Sequence, residues 1–475
     1  MLIPHAERVE SPLAPKELFR ALNRPGKMSL FLDSHDYAPP KQLYSYLAFS
    51  PFLEIRLTER ALTVQGEISK RYPSRRPLER LRAVLRRYRY PCKTPYPFWT
   101  GGLAGYWAYE FAEHAEKIRF REKKGPQIPK MHLGAYRDLV VYDHRRRCYW
   151  AVSHGRVAGK QGLARGREEA RRKAVVLAEK IRSVEKRYKP ISGPRFRLKA
   201  FRPDIGRSDF EQIVRRAKAY IAAGDIYQAN LSQRFSFRHT GSAFELYLRL
   251  RAINPSPFAC FLQCGTLTIV SSSPERLVHK HGRFCETEPI AGTRPRFQKH
   301  KTEGQLAREL AQSAKERAEH IMLVDLERND LGRVCSWPTI RVRRLMGIEK
   351  YSHVQHLVSS VAGHLRRDCD GFDLIRAMFP GGTITGCPKV RCMQIIDELE
   401  PIRRGVYTGS VGYIDFKGDL DLNIVIRTIV LSGGRGYFHV GAGIVHDSKP
   451  RKEYEETLHK GEALREALME REGRR

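Results

Sequence analysis

The sequence predicts an α+β fold, in which layered antiparallel β-sheets are flanked by helices. Strand-like segments dominate the first part of the 475-residue chain, helical patterns follow, and strand-like segments return near the end. Strands and helices therefore do not alternate one by one, as a repeating βαβ fold would require. The length and a polar Pro/Gly stretch at 188–194 predict an N-terminal domain over 1–195 and a second domain over 200–470.

In the first half, runs in which aromatic and aliphatic residues alternate are separated by turn-forming residues. This pattern predicts short strands. These strands cover 28–34, 44–49, 53–57, 139–142 and 148–152. Helical patterns occur at 77–90 and, in a longer and more polar form, at 162–187. The glycines among large aromatics at 99–110 do not match a phosphate-binding loop, which favours tight backbone packing there.

The second half begins with a capping box at 208–211, which predicts a helix over 210–223. Five strands are predicted next, at 226–237, 258–263, 266–271, 277–281 and 283–289. Further helices are predicted at 302–331, 371–378 and 388–399. The chain then returns to strands and closes with a helix, at 406–415, 421–431, 436–445 and 450–470.

The formal net charge of +34 could indicate nucleic acid, an anionic surface or an anionic substrate. Lys and Arg are spread over the chain without interleaved stacking aromatics or a known reading motif, which disfavours a nucleic-acid-binding protein. No apolar run is long enough for a membrane span, and no secretion signal is evident. A cytoplasmic protein with nine reduced cysteines is therefore expected.

One short segment, 288–294 (EPIAGTR), ends a strand-rich region just before a long charged helix. Gly292 and Thr293 offer backbone N–H groups and a hydroxyl, which suit the binding of an anionic oxygen. Most Pro/Gly segments of this length are plain turns, and that interpretation stays open.

Two pairs of glutamates are spaced three residues apart in predicted helices: Glu316 with Glu319, and Glu453 with Glu456. Each pair shares one helix face and could bind a hard cation through oxygen ligands. A solvated acidic face is the alternative for either pair alone.

Three further features could bind an anion or transfer a proton. A turn expected at 441–443 exposes N–H groups, and Arg427 in an apolar strand requires an anion, either a structural carboxylate or a substrate. His356 could be an acid or base, or a hydrogen-bonded core histidine. No Gly-x-Cys-x-Gly or Gly-x-Ser-x-Gly elbow occurs, so the sequence has no obvious acyl-transfer nucleophile.

Separate short motifs recur in one order over residues 200–470, and together they resemble the chorismate-utilising enzymes. These motifs are SSPE (272–275), PIAGT (289–293), EHIMLVD (319–325), RND (328–330), HVQH (353–356), GT (382–383), PKVR (388–391), YTG (407–409), RT (427–428), GAG (441–443) and EYEE (453–456). The resemblance implies the layered fold of that family, and chorismate as the substrate.

The resemblance also implies roles for individual residues. The groups that would hold one carboxylate of chorismate are Tyr407, Arg427, Gly441, Ala442 and Gly443. The groups that would bind Mg²⁺, which in turn takes the ring carboxylate, are Glu316, Glu319, Glu453 and Glu456. The groups that would complete the polar lining are Gly292, Thr293, Thr383 and Lys460. Glu275 is the implied general acid or base, and His356 matches a histidine used where the enolpyruvyl group is lost.

Position 291 separates two branches of this family. The branch that makes aminodeoxychorismate often has a lysine there, whereas an alanine such as Ala291 is usual in the anthranilate branch. Other segments nevertheless resemble the aminodeoxychorismate branch, namely 227–231, 257–259, 271–275, 380–383 and 407–410. The resemblance therefore implies the aminodeoxychorismate branch, with the anthranilate branch as the alternative.

The ammonia for such a reaction must come from elsewhere, and the resemblance implies a glutamine amidotransferase subunit as the partner that supplies it. Asp33 and Ser34 stand near the expected place of a tryptophan pocket. They depart from the pattern that is usual in the anthranilate branch, which disfavours feedback inhibition.

Overall fold

Two large β-sheets organise the chain in a computed structural model that describes residues 1–24, 26–34, 43–158, 162–188, 195–296, 301–350 and 354–469. Each sheet has twelve strands joined by antiparallel pairing, and helices cover the outer faces. The prediction of an α+β fold with layered antiparallel sheets is confirmed.

The first half of the chain contributes short strands of mostly buried residues. They are β1 Leu2–Val9, β2 Ser29–Asp33, β3 Tyr44–Phe49, β4 Leu53–Leu57, β5 Ala61–Gly66, β6 Lys70–Pro73, β7 Gly102–Trp107, β8 Met131–Tyr136, β9 Leu139–Asp143 and β10 Cys148–Arg156. The predicted bounds of β3 and β4 agree with the structure to the residue, and Ser50 and Pro51 separate the two strands.

The second half contributes longer strands together with several short ones. They are β11 Arg197–Pro203, β12 Gln228–Thr240, β13 Phe258–Cys264, β14 Leu267–Ser273, β15 Arg276–His281, β16 Phe284–Thr287, β17 Ile290–Pro295, β18 Arg341–Lys350, β19 Val354–His364, β20 Gly386–Cys387, β21 Ser410–Asp415, β22 Leu420–Asn423, β23 Thr428–Ser432 and β24 Arg435–Ile444.

Helices occur in both halves. The α-helices are α1 Pro15–Leu22, α2 Pro77–Arg87, α3 Gly162–Arg187, α4 Arg207–Ala222, α5 Ala243–Ile253, α6 Glu303–Gln312, α7 Ala314–Gly332, α8 Gly371–Met378, α9 Lys389–Leu399, α10 Pro450–Lys460 and α11 Glu462–Leu468. Short 3₁₀ helices cover Tyr109–His114, Trp337–Thr339 and Gly382–Ile384. None of the helices in the described ranges combines the length and the apolar character that crossing a bilayer requires.

Both sheets contain strands from both halves of the chain. The first sheet runs β1-β10-β9-β3-β2-β13-β14-β23-β24-β12-β11, with β20 attached to β12. The second runs β17-β19-β16-β15-β22-β21-β7-β8-β4-β5-β6, with β18 attached to β19. The regions predicted as separate domains, 1–195 and 200–470, are therefore joined by the ladders β2–β13 and β7–β21.

The hydrophobic core is divided into layers by the two sheets. One cluster lies between the sheets, where Leu30 and Ile269 of the first sheet pack in the same group as Tyr106 and Val411 of the second. A second cluster joins the outer face of the second sheet to α2, α7 and α8, and a third joins the first sheet to α1, α3, α5 and α11. The site described below lies where the chain passes between these layers.

Three predicted helices are wrong in detail. The helix predicted over 302–331 is two helices, because Ser313 leaves the helical conformation and caps α7 by accepting a hydrogen bond from the Glu316 N–H. The helix predicted over 450–470 is likewise divided at Gly461. Helix α4 begins after Gly206 and not at the predicted capping box, since the Asp209 side chain accepts from the Gly206 N–H.

Several strand predictions also change. The strand predicted over 421–431 is two strands in different sheets, β22 and β23, and the strand predicted over 406–415 begins only at Ser410. The segment 288–294, for which a plain turn was left open, instead contributes most of β17. Local patterns did not predict β1, β5, β6, β8, β11, β18 and β19, most of which are defined by their partners in the sheets.

Candidate active site

The centre of the site is built where two segments cross side by side from one sheet to the other. Glu275 lies between β14 of the first sheet and β15 of the second, and Arg427 lies between β22 of the second sheet and β23 of the first. The Ile424 N–H donates to the Glu275 carbonyl at 3.0 Å, and the Ser272 N–H donates to the Arg427 carbonyl at 3.2 Å. These backbone bonds hold the two crossings together.

Arg427 was predicted to lie within an apolar strand, and that prediction is wrong. The residue forms a bend before β23 and has a left-handed backbone, with φ of 49°. Its positive charge lowers the pKa of Glu275, so the arginine is still near enough to influence the carboxylate that the sequence selected.

Glu275 is a buried carboxylate, and we refer to it below as the buried acid. Its side chain is 4% exposed, and the Ile290 N–H approaches Oε1 at 3.4 Å. Burial raises the pKa of Glu275 to about 7, while Thr383, Ile290 and the positive charges of Arg427 and Lys460 act in the opposite direction. A carboxyl group with this pKa can give up or accept a proton near neutral pH.

The segment 288–294 forms one wall of the site. Strand β17 pairs with β19 and carries a bulge between Ala291 and Thr293, where Gly292 has φ of +65°. A Cβ at Gly292 would lie 2.8 Å from Glu316 Oε2, so the glycine allows the glutamate to approach the backbone. The Gly292 carbonyl lies 3.3 Å from His356 Nδ1.

Ala291 belongs to this wall and is 6% exposed. Its side chain is only a methyl group. Thr293 pairs in register with His356, and its side chain is outside the described part of the structure.

Residues 441–443 form the second wall of the site. They are not the turn that the sequence predicted. They lie within β24 and pair with residues 230–232 of β12. Pairing of the other edge of β24 with β23 ends at Phe438, opposite Ile429. The edge of β24 that faces away from β12 is therefore not covered by β23 at Gly441 to Gly443, which leaves backbone polar groups to bind a ligand.

Two residues of β12 belong to the site, although the sequence analysis used them only to compare branches. Gln228 donates from Nε2 to Glu319 Oε1 at 2.7 Å, and Asn230 Oδ1 lies close to Gly441. Residues i and i+2 of a strand share a face, and this spacing was the signal that could have identified them together. Gln228 Oε1 and Asn230 Oδ1 are buried without a hydrogen-bond partner in the described residues, as expected for atoms that a ligand completes.

Tyr407 lies above Gly441, where a Cβ would be 2.6 Å from the tyrosine hydroxyl. Its ring stacks on His439 with centroids 5.0 Å apart. The buried Arg404 supports this arrangement, because it pairs with Glu400 at 2.7 Å and donates to the Asn230 carbonyl at 2.6 Å. Burial raises the pKa of Tyr407, so the hydroxyl is a hydrogen-bond donor at neutral pH.

The four predicted metal ligands lie on two helices and form what we call the glutamate rim. Glu316 and Glu319 are in the first turns of α7, and Glu453 and Glu456 are in α10. Their closest described partners are donors: Arg294 for Glu316 at 3.3 Å, Gln228 for Glu319 at 2.7 Å and Lys460 for Glu456 at 2.8 Å.

The rim carboxylates act on one another and share a lysine. Burial raises the pKa of Glu319 and of Glu453, and the charges of Glu316 and Glu456, respectively, raise them further. Burial of Glu456 would raise its pKa as well, but Lys460 lowers it. Lys460 also lowers the pKa of Glu275, so the charge of this lysine influences both the buried acid and the rim.

The rim has the right chemistry for Mg²⁺, although no three acidic, histidine or cysteine side chains meet as a finished metal site within the described ranges. Carboxylate oxygens are the ligands that Mg²⁺ prefers. The raised pKa values of Glu319 and Glu453 include repulsion from a neighbouring carboxylate, and a divalent cation would relieve it. The donor set therefore fits the ion.

Comparison with known proteins identifies relatives along nearly the whole chain. A family model described as chorismate binding enzyme matches residues 34–466. The chain is 38% identical to aminodeoxychorismate synthase component 1 of Bacillus subtilis, over 90% of this chain and 89% of that protein. It is 37% identical to anthranilate synthase component 1 of Aquifex aeolicus, over 96% of this chain and 92% of that protein.

The fold agrees with a solved structure of similar length. Anthranilate synthase component I from Streptococcus pneumoniae superposes with a TM-score of 0.77 at 32% identity, covering 98% of this chain and all of that one.

Proposed function

This chain belongs to the family of chorismate-binding enzymes, and we propose that it is the chorismate-aminating component of an aminodeoxychorismate synthase that acts in the cytoplasm. The observation that carries this proposal is the buried acid, whose pKa near 7 is combined with a polar cleft and a glutamate rim. The product would be 4-amino-4-deoxychorismate, a precursor of p-aminobenzoate and folate.

Substrate binding uses the two walls of the site. One carboxylate of chorismate accepts hydrogen bonds from Tyr407, from Arg427 and from the open edge of β24. The ring then lies beside Glu275, with Thr383 and Gly292 as polar neighbours. Glu316, Glu319, Glu453 and Glu456 would hold Mg²⁺, which when bound neutralises the ring carboxylate and withdraws electrons through it.

The chemical step exchanges a ring hydroxyl for nitrogen. Protonated Glu275 donates its proton to the departing hydroxyl, so that the C–O bond breaks and water leaves, while ammonia forms a C–N bond on the conjugated ring. The ionised Glu275 then accepts a proton from the newly attached ammonium group, which restores the acid. Because Ala291 has no amine, a first ammonia takes the place of a lysine nucleophile and a second ammonia displaces it.

The nitrogen source is a second subunit. The chain shows no sequence elbow for a glutaminase nucleophile. A glutamine amidotransferase subunit is therefore the proposed partner, and free ammonium should replace it at high concentration.

Anthranilate synthesis is the second candidate because of a specific residue. Ala291, 6% exposed in β17, is the residue usual in the anthranilate branch, and the Aquifex aeolicus relative bears that name. In that reaction His356 would assist loss of the enolpyruvyl group. The segment Pro257, Phe258 and Ala259 favours the first candidate, because the anthranilate branch usually keeps Pro-Tyr-Met there.

The deciding experiment is a product assay with chorismate, MgCl₂ and ammonium chloride. The expected product gives p-aminobenzoate only after a separate aminodeoxychorismate lyase is added. Fluorescent anthranilate that forms without the lyase would overturn the choice of branch. The Glu275→Gln protein is the control for contaminating activity, and chorismate consumption equal to that of the wild type in this control would refute the assignment of the acid.

A further inference from the structure

A second cavity of about 390 Å³ lies between α2, α8, the β15–β16 turn and the β21–β22 turn. Seven basic and two acidic side chains line it, and we call it the arginine cleft. Its volume is within the range of roughly 300–1,000 Å³ that is typical of small-molecule sites. Phe372 and the buried Phe416 contribute apolar surface to its walls.

Three of the basic groups in the cleft are neutralised by the protein. Arg82 pairs with Asp370 at 2.6 Å and with Asp373 at 2.9 Å. Lys280 is buried, donates to the Gly418 carbonyl at 2.7 Å and lies near Asp419, which also pairs with Lys417.

Four guanidinium groups are not neutralised in this way. Within the described ranges, Arg86, Arg89, Arg283 and Arg367 have no carboxylate at ion-pair distance. Arg283 instead donates from Nε to the Leu365 carbonyl at 2.8 Å, a neutral acceptor. These four cations come from α2 and the residues just after it, the β15–β16 turn and the segment before α8, so the fold gathers like charges around one cavity.

The four arginines are exposed, so water and salt partly screen their mutual repulsion, and an anion bound between them would relieve the rest. The planar fork of arginine donates two parallel hydrogen bonds and matches the oxygens of a phosphate group. The four guanidinium groups come from separate segments around the cavity, so two or three linked phosphates would contact more of them than a single phosphate would.

The arginine cleft is separate from the chorismate site. Glu275 directly precedes β15, and Lys280 is the fifth residue of that strand. At about 3.3 Å per residue, the two positions are roughly 16 Å apart. From these observations we infer that the arginine cleft is a second ligand site, which binds a small molecule carrying two or three linked phosphate groups.

The test uses inorganic pyrophosphate and tripolyphosphate as probes, titrated calorimetrically into the full-length protein at physiological ionic strength. We expect saturable binding with one site per chain. The triple variant Arg86→Gln, Arg89→Gln, Arg367→Gln should bind at least tenfold more weakly, because three charge-assisted contacts are lost. Circular dichroism and chorismate turnover of the variant establish that it remains folded.

A matched control separates a built site from general electrostatics. The triple variant Arg172→Gln, Arg182→Gln, Arg187→Gln removes the same charge from exposed positions of α3. It should bind pyrophosphate as the wild type does. Equal weakening in the two variants, or no saturable binding by the wild type, would overturn the inference. So would cleft-dependent binding of duplex DNA or an acidic polypeptide without binding of either phosphate probe.

Discussion

The buried acid and the glutamate rim are made of the same residue type, yet their surroundings prepare them for different chemistry. Glu275 is buried, and burial dominates its pKa over the opposing effects of Thr383, Ile290, Arg427 and Lys460. The rim glutamates are paired on helix faces, and each interacts with a donor or a neighbouring charge. Burial favours the protonated form of a carboxyl group, whereas repulsion between neighbouring carboxylates favours the binding of a cation. Lys460 acts on both groups.

The largest expected effect is the loss of the proton donor. Glu275→Gln keeps the size of the side chain but cannot donate to the departing hydroxyl, and kcat should fall by about 10²–10⁴. Chorismate consumption with ammonium and Mg²⁺ measures this. Glu179→Gln, at an exposed position of α3, is the control and should keep full activity. Turnover within a few-fold of the wild type would mean that the proton comes from another group.

The same substitution should increase stability at alkaline pH. The pKa of Glu275 is about 7 in the folded protein, against 4.5 for an unperturbed glutamate, so wild-type stability falls as pH rises through this window. By pH 8 the free energy of unfolding of the wild type has fallen by about 3 kcal/mol. The Glu275→Gln variant has no carboxyl group to ionise and keeps this stability. Urea unfolding at pH 5 and pH 8 should show the variant gaining relative to the wild type only at the higher pH. A gain of equal size at both pH values would disprove this linkage.

A smaller effect should distinguish the rim from the acid. Glu319→Gln removes one rim charge while keeping an oxygen ligand, and the Mg²⁺ concentration for half-maximal rate should rise at least roughly tenfold. Saturating Mg²⁺ should recover most of the rate, and Glu309→Gln on the neighbouring α6 should leave the Mg²⁺ response unchanged. A fall in rate at every Mg²⁺ concentration with an unchanged half-saturation would show that the rim takes part in proton transfer, and the distinction between the two regions would fail.

The smallest expected effect is the absence of inhibition by tryptophan. The cavity beside Asp33 and Phe258 has a volume of only about 30 Å³, and Asp33 already accepts from the Tyr247 hydroxyl at 2.8 Å. Millimolar L-tryptophan should leave the rate of chorismate consumption unchanged. Inhibition that disappears in a Phe258→Ala variant would assign a regulatory site to this cavity and contradict the expectation.

Local sequence patterns were sufficient to predict an element where its capping residues and its own periodicity determine its bounds. The bounds of α8 were predicted to the residue, because Asp370 caps it and an apolar face follows. The helix break at Ser313 was also predictable, since Ser313 and Glu316 have the spacing of a capping box. The glutamate pairs were found from helical periodicity alone, and the structure brings Glu319 beside Gln228 as well as near Glu316.

Long-range pairing explains what local patterns missed. The segment 441–443 resembles a glycine turn but is a strand, because β12 pairs along its whole length. Gly292 resembles a turn residue for a related reason, since a bulge in β17 uses its positive φ while β19 continues alongside. Arg427 could not be placed between two sheets from its apolar neighbours, because the passage from one sheet to the other depends on partners far along the chain.

The two ladders that join the halves of the chain also set the timing of folding during synthesis. Strand β2 pairs with β13, and β7 pairs with β21. In each pair the second strand is synthesised more than two hundred residues after the first, so the ladder cannot form before then. At about 5–20 residues per second, these strand edges stay without their partners for roughly 10–60 s. Unpaired edges are the surfaces on which chains aggregate. The nascent protein should therefore depend on chaperones during this interval, although the finished sheets bury both edges.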